Sequence, residues 1–234
     1  IYGNKKKFPI FYFHGWPGSR LELENVPVDE KDCYIIALER PGYGISDPIP
    51  KFKILDWPKI VIEIAEKLKI KKFSIIGVSG GVPFALACAY LIKNNSLKSV
   101  AIVCGLAPKK AKGMNKGRVG MLMYYGKKPI LSWFLLNFIR GRLMKSDLEN
   151  NFIKWKKKIP LPKSDSKLFT LNRGIKLIQN FKEALKHGTT GVHRDAQLYA
   201  KDWEFNLRDI KKKIYIWHGA KDLTVPVTAS NYFK

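Results

Sequence analysis

The stretch Phe73-Ser74-Ile75-Ile76-Gly77-Val78-Ser79-Gly80-Gly81, running through Val82 into Pro83-Phe84-Ala85-Leu86-Ala87-Cys88-Ala89-Tyr90-Leu91-Ile92, decides how the whole chain reads. Phe73 to Ile76 is a short, mostly apolar run closed by a glycine, the pattern of a buried strand. Pro83 to Ile92 is apolar along its length and reads as a buried helix. Its proline sits in the first turn, where a helix has no internal acceptor for the N–H that proline lacks. A serine between such a strand and such a helix stands on a sharp turn that exposes its hydroxyl above the strand ends. Gly77, Gly80 and Gly81 leave room for close backbone approach there. The helix behind it points its free N–H groups and the positive end of its dipole at the same spot. Ser79 is therefore a candidate nucleophile, with a structural turn serine as the alternative.

Outward from this unit the same grammar repeats. Phe8 to Phe13 (FPIFYF) and Cys33 to Leu38 (CYIIAL) are apolar runs that end in turn-rich loops, His14-Gly15 and Glu39-Arg40-Pro41-Gly42-Tyr43-Gly44. Ile54 to Ile70 spaces its apolar residues as an amphipathic helix does, and Lys98 to Gly105 returns to a buried strand. Alternating strands and helices predict an α/β fold with a mostly parallel sheet covered by helices on both faces. From Ala107 to Asn206 the strand runs vanish and helical stretches take over, among them one read as continuous from Gly120 to Arg142. Between Ala107 and Leu168 there are sixteen Lys or Arg against three acids. The strand signal reappears at Lys213 to Trp217. The expected organisation is a core over 1–106, a helical cap over 107–206 and a second core part over 207–234, with no internal repeat.

The chain has 234 residues, 46% of them hydrophobic, enough for one sizeable core. Its net charge of +24 invites a nucleic-acid partner, since a basic surface attracts phosphates without specific contacts. The lysines, however, are spread among buried-looking runs instead of collected in a tail, so no nucleic acid is expected. The run Lys154-Trp155-Lys156-Lys157-Lys158 is read in the same way, as a solvated helix face. Cys33, Cys88 and Cys104 lie in apolar stretches without metal-ligand spacing or a paired framework, which points to free thiols in a reducing, cytoplasmic setting. No run reaches the roughly 18 apolar residues that span a bilayer. The oligomeric state is not legible in the sequence.

Acyl transfer needs donors for the developing oxyanion. The loop His14-Gly15-Trp16-Pro17-Gly18-Ser19 has the glycines to turn its N–H groups inward, so the backbone N–H groups of Trp16 and Gly80 are the candidate donors. Three motifs now stand in order: His14 to Gly18, Arg40 to Asp47 (Arg-Pro-Gly-Tyr-Gly-Ile-Ser-Asp) and Gly77 to Gly81. With His218-Gly219-Ala220-Lys221-Asp222 and Val225-Pro226 as a fourth, the chain resembles the alpha/beta-hydrolase superfamily, in its branch of serine hydrolases with a helical lid.

That resemblance implies an esterase-like serine hydrolase acting on a small or medium apolar acyl substrate. It assigns Ser79 as nucleophile and Asp222 as the acid that orients a catalytic histidine, with Asp47 structural, and it implies no metal or organic cofactor. Similar proteins include aminopeptidases, cofactor-free haloperoxidases, lipases and carbon–carbon bond hydrolases, and a noncatalytic ligand-binding member is the other alternative. The family's histidine lies one strand beyond the acid, about 25 to 30 residues on. None of His14, His187, His193 and His218 occupies that position. Because the chain begins at Ile1 and stops at Lys234, a fragment is expected, lacking the first strands before the Phe8 to Phe13 run and the last strand and helix. Selectivity would reside in the cap, where Tyr125, Trp133 and Phe134 are the candidate pocket residues among the aromatic and Met side chains that include Met121, Met123, Tyr124, Phe138 and Trp155.

Overall fold

Alternation along the strands sorts their side chains to two faces, and the computed structural model, which describes residues 1–26, 29, 31–158 and 162–233, is built on that sorting. One sheet runs in the order β1-β3-β2-β4-β5-β6. Its strands are β1 (Tyr2–Gly3), β2 (Pro9–Phe13), β3 (Tyr34–Leu38), β4 (Phe73–Val78), β5 (Leu97–Val103) and β6 (Ile214–Trp217). All neighbours are parallel except β1, which pairs antiparallel with β3 through Tyr2 and Ile35. The expectation that no strand precedes the Phe8 to Phe13 run is thereby corrected. Two residues are too few to show alternation, and β1 is fixed by its backbone pairing and by the Tyr2 hydroxyl donating to Arg20 O at 3.0 Å.

Phe11, Phe13, Ile36, Phe73, Ile75 and Val100 point to one face, under α1 (Trp57–Lys67) and α2 (Val82–Leu91). Helix α1 buries Trp57, Val61 and Ala65, one per turn, whereas α2 is buried from Val82 through Ala89 and crosses the centre of the core. Phe84 on α2 meets Phe52, Trp57 and Tyr199 at centroid distances of 6.3–6.4 Å. On the opposite face Tyr12, Leu23 and Ile35 form a smaller cluster with Ile76 and Val78 packed against it.

Among the described residues, six α-helices lie between β5 and β6: α3 (Gly117–Gly126), α4 (Pro129–Lys145), α5 (Leu148–Lys158), α6 (Lys163–Leu168), α7 (Leu171–Ala184) and α8 (Thr190–Ala200). The stretch read as one helix from Gly120 to Arg142 is two. Pro129 bars the helical conformation to the residue before it, and Lys128 stands at φ −120, ψ 76. The Lys154 to Lys158 run does fall on a helix, but the Trp155 side chain lies outside the described residues.

The helical insertion is fastened to the sheet by a buried polar cluster. Arg40, fully buried, donates from Nε to Asp195 Oδ2 on α8 at 2.7 Å, from Nη1 to His14 O at 2.7 Å and from Nη2 to Gly15 O at 3.0 Å. Asp195 also accepts from the Tyr43 hydroxyl at 2.9 Å, and the Tyr199 hydroxyl donates to Gly80 O at 2.8 Å. Around this cluster, Ser19 donates through both its N–H and its hydroxyl to Asn180 on α7, and Trp16 Nε1 donates to Val192 O on α8. Gly42 and Gly191 touch backbone to backbone, where a Cβ on Gly42 would stand 2.8 Å from Gly191 N.

Removing one half of a buried ion pair strands the other charge. Asp195→Ala is therefore expected to lower unfolding free energy by about 3–5 kcal/mol in urea titration. Lys53→Ala, which breaks the exposed pair with Glu204, should change it by less than about 1 kcal/mol.

Candidate active site

Ser79 sits between β4 and α2 with φ +49, a left-handed conformation that ordinary residues avoid. The turn is locked by its own carbonyl, which accepts from Leu106 N at 3.1 Å as well as from Val82 N. Two glycines are dictated by approach distance. A Cβ on Gly81 would lie 2.3 Å from Phe13 O, and one on Gly80 would lie 2.7 Å from the Trp16 Cβ and 2.8 Å from the Tyr199 hydroxyl.

The same contacts bring the loop after β2 onto the serine. Trp16 N lies 3.2 Å from the point a Gly80 Cβ would occupy, and the Ser79 Cβ lies 3.6 Å from the corresponding point on Gly15. Within the described residues no hydrogen bond takes up the Trp16 N–H or the Gly80 N–H. Several other polar groups of the loop are committed. Gly15 N donates to Glu22 Oε2 at 2.9 Å, Glu22 Oε1 accepts from the Tyr12 hydroxyl at 2.7 Å, and the His14 and Gly15 carbonyls are held by Arg40. His14 Nδ1 lies 2.9 Å from Gly15 O and its Nε2 lies 3.4 Å from Arg40 N. Those partners fix the neutral tautomer with the proton on Nδ1. The Trp16–Pro17 peptide bond is cis.

Burial shapes the electrostatics of this loop. It drives His14 well below the ordinary imidazole range, and the Arg40 charge adds to the effect against the opposing bond to Gly15 O. Burial also raises Glu22, although the bonds from Tyr12 and Gly15 oppose it. Burial opposes the Arg40 charge, but Tyr199, Asp195 and Tyr43 outweigh it and raise its pKa.

Asp222 follows β6, on the same carboxyl edge of the sheet as Ser79, with β5 between their strands. Two strand spacings separate the two strand ends by about 10 Å. Its Oδ1 accepts from Thr224 N at 2.7 Å and Val225 N at 3.0 Å, and its Oδ2 lies 3.5 Å from His218 Nε2. His218 is itself engaged on both nitrogens, by Val225 O and by the Ser230 hydroxyl. Cys104, at φ +46, completes a group of three potential metal-ligand atoms with His218 and Asp222, all within 4.8 Å of one another. Burial raises its thiol, and with both imidazole nitrogens taken by the protein the trio is a poor ligand set.

His193 Nε2 binds Pro129 O at 2.8 Å, joining α8 to α4, and His187 is exposed. Among the described residues, no histidine hydrogen-bonds the Ser79 hydroxyl. Asp47 is exposed on its loop.

Of the pocket candidates, Tyr125 borders an apolar cavity of about 240 Å³ together with Trp16, Arg118, Met121 and Leu135. Trp133 and Phe134 do not. They meet edge to face at 5.0 Å on the outer side of α4, 48% and 61% exposed. At 100° per residue, Ser132, Leu135 and Leu136 take the inward side instead. Met121 borders that cavity too, Met123 is buried, and Tyr124 and Phe138 face outward. A larger apolar cavity, about 530 Å³, lies against the second sheet face between Tyr12, Ile76, Val78 and Val103 and the insertion residues Phe169 and Leu177.

The sequence reading missed four residues that shape the site: Glu22, Arg40 as an ion-pair partner, Asp195 and Tyr199. A usable signal existed only on α8, where Asp195 sits among Val192, Ala196 and Tyr199, an acid on an otherwise apolar helix face. Because His14 stays neutral in the fold and titrates near 6.5 when unfolded, acid favours the unfolded chain. Stability is expected to fall as pH drops through about 6.5 toward the depressed native value. Urea midpoints from pH 7.5 to 5.5 check this, and His14→Gln should flatten the part of the slope that His14 supplies.

The family model described as alpha/beta hydrolase fold matches residues 9–134. A Mycoplasma genitalium protein named "Putative proline iminopeptidase" is 24% identical, over 96% of this chain and 79% of its own length. Among solved structures, an esterase from Rhodococcus sp. ECU1013 superposes with a TM-score of 0.65 at 16% identity, covering 100% of this chain and 80% of that one. A bromoperoxidase from Bacillus anthracis does so with a TM-score of 0.66 at 17% identity, covering 97% and 78%. Sheet order, the strand–serine–helix turn and the family match agree: this chain belongs to the alpha/beta hydrolase fold family.

Proposed function

We propose that the protein is an esterase-like serine hydrolase of small or medium apolar acyl substrates, with residues 107–206 acting as its cap. One observation carries the reading: Ser79, at φ +49, stands beside two backbone N–H groups, Trp16 and Gly80, that no other group engages among the described residues. Ser79 Oγ attacks the carbonyl carbon and passes its proton to a histidine. Trp16 and Gly80 N–H take up the oxyanion, each such donor lowering the barrier by roughly 3 kcal/mol. The tetrahedral intermediate expels the alcohol, which leaves with that proton. Water then attacks the acyl-enzyme with the same histidine as base, releasing the acid and restoring the serine.

Asp222 orients the histidine and supports its positive form. In the scheme that histidine lies in polypeptide outside these 234 residues, since His14, His193 and His218 are bonded elsewhere and His187 is exposed. The cavity beside Trp16 and Tyr125 is the acyl pocket of the proposal. Its lining of apolar side chains and Arg118, without a carboxylate, favours a neutral acyl group over the ammonium terminus of a peptide. That is why ester hydrolysis is preferred here to the activity named for the Mycoplasma genitalium relative.

Ligand binding without turnover is the second reading, favoured by the absence of any histidine contact to Ser79 among the described residues. A fluorophosphonate separates the two. The full-length protein is expected to be labelled stoichiometrically at Ser79 and Ser79→Ala not at all, with Asp222→Asn slowed by at least about 100-fold. Folded full-length protein that resists labelling would overturn the hydrolase reading.

A further inference from the structure

The outward face of α4 is the most apolar exposed surface of the insertion. Ile130, Phe134 and Phe138, four residues apart and 76%, 61% and 62% exposed, form one line along the helix. Trp133 and Leu131, each about half exposed, flank it. Large apolar side chains in such a row on a water-facing helix mark a contact surface. The stretch that carries it has a single sign of charge: from Arg118 to Lys145 the chain has six Lys or Arg and no Asp or Glu. Two of these cations lie over exposed rings, Lys128 Nζ 4.3 Å from the Tyr124 centroid and Arg142 Cζ 5.6 Å from that of Phe138.

We propose that this face seats the protein on an anionic lipid bilayer, with Ile130, Phe134 and Phe138 in the interface and Lys127, Lys128, Arg142 and Lys145 on the headgroups. The charge selects that occupant. A second copy would press two all-cationic rims together between chains of net charge +24, whereas anionic headgroups neutralise the rim and the interface accepts the rings. Among the described residues no helix is long and apolar enough to cross a membrane, and the attachment proposed here is through this face alone. Ile139, 44% exposed, borders the cavity over Trp16, so the seated face continues to the mouth of that cavity.

Co-sedimentation of the full chain with phosphatidylcholine vesicles, with and without phosphatidylglycerol, tests this. Binding to the mixed vesicles is expected, and a measurable part should persist at about 0.5 M salt, where screening shortens to about 4 Å. Phe134→Ser/Phe138→Ser, at exposed positions that leave the thermal melt unchanged, should lower the partition coefficient at least about tenfold. Equal binding by the double variant would reduce the effect to general lysine adsorption and overturn the proposal. So would equal binding to pure phosphatidylcholine, or a dimer in analytical ultracentrifugation that the double variant dissolves.

Discussion

The buried contact between Arg40 and Asp195 is the constraint on which the rest of the arrangement turns. Both side chains are wholly shielded from water, and the guanidinium spends its remaining donors on the His14 and Gly15 carbonyls. A buried ion pair adds little net stability over a well-packed apolar substitute, because desolvation consumes most of the attraction. What it contributes here is registry. Asp195 Oδ1 is also held by Arg194 Nη2 at 2.9 Å within α8, so it is the bond from Arg40 to Oδ2 that joins α8 to the loop after β3 and, through the His14 and Gly15 carbonyls, to the loop carrying Trp16.

The site follows from that registry. Tyr199, one turn along α8 from Asp195, reaches Gly80 O, so the same helix steadies both the turn that carries Ser79 and the loop that faces it. Glu22 holds Gly15 from the other side. Among the described residues the Trp16 and Gly80 N–H groups have no partner, beside a loop held through Gly15 N and the His14 and Gly15 carbonyls, which suits a preorganised anion site. His14, neutral and bonded on both nitrogens, is a strut of this loop and contributes no charge to it.

Much of the fold was legible because β2, β3, β4 and β5 are short apolar runs closed by glycine-rich turns, and α2 is apolar enough to need burial on every side. The helical insertion was less legible. Helix α4 is apolar around its whole circumference, so spacing alone had no inward face to choose, and Trp133 and Phe134 fell on the wrong side while Tyr125 on α3 reached the cavity. The break at Pro129 follows from the proline rule, although the stretch is hydrophobic on both sides of it. Of the candidate site, Ser79, Trp16, Gly80 and Asp222 are the residues that local motifs single out. The Arg40–Asp195 pair is not among them, because its partners lie 155 residues apart and only tertiary packing joins them.

The central claim is that the Trp16 and Gly80 N–H groups converge on the group that Ser79 would attack. A crystal structure of the full-length protein carrying a phosphonyl group tests it most directly. Phosphorus is expected bonded to Ser79 Oγ, with one phosphonyl oxygen about 2.7–3.1 Å from both Trp16 N and Gly80 N. An adduct on another side chain, or an oxygen turned away from those two nitrogens, would contradict it.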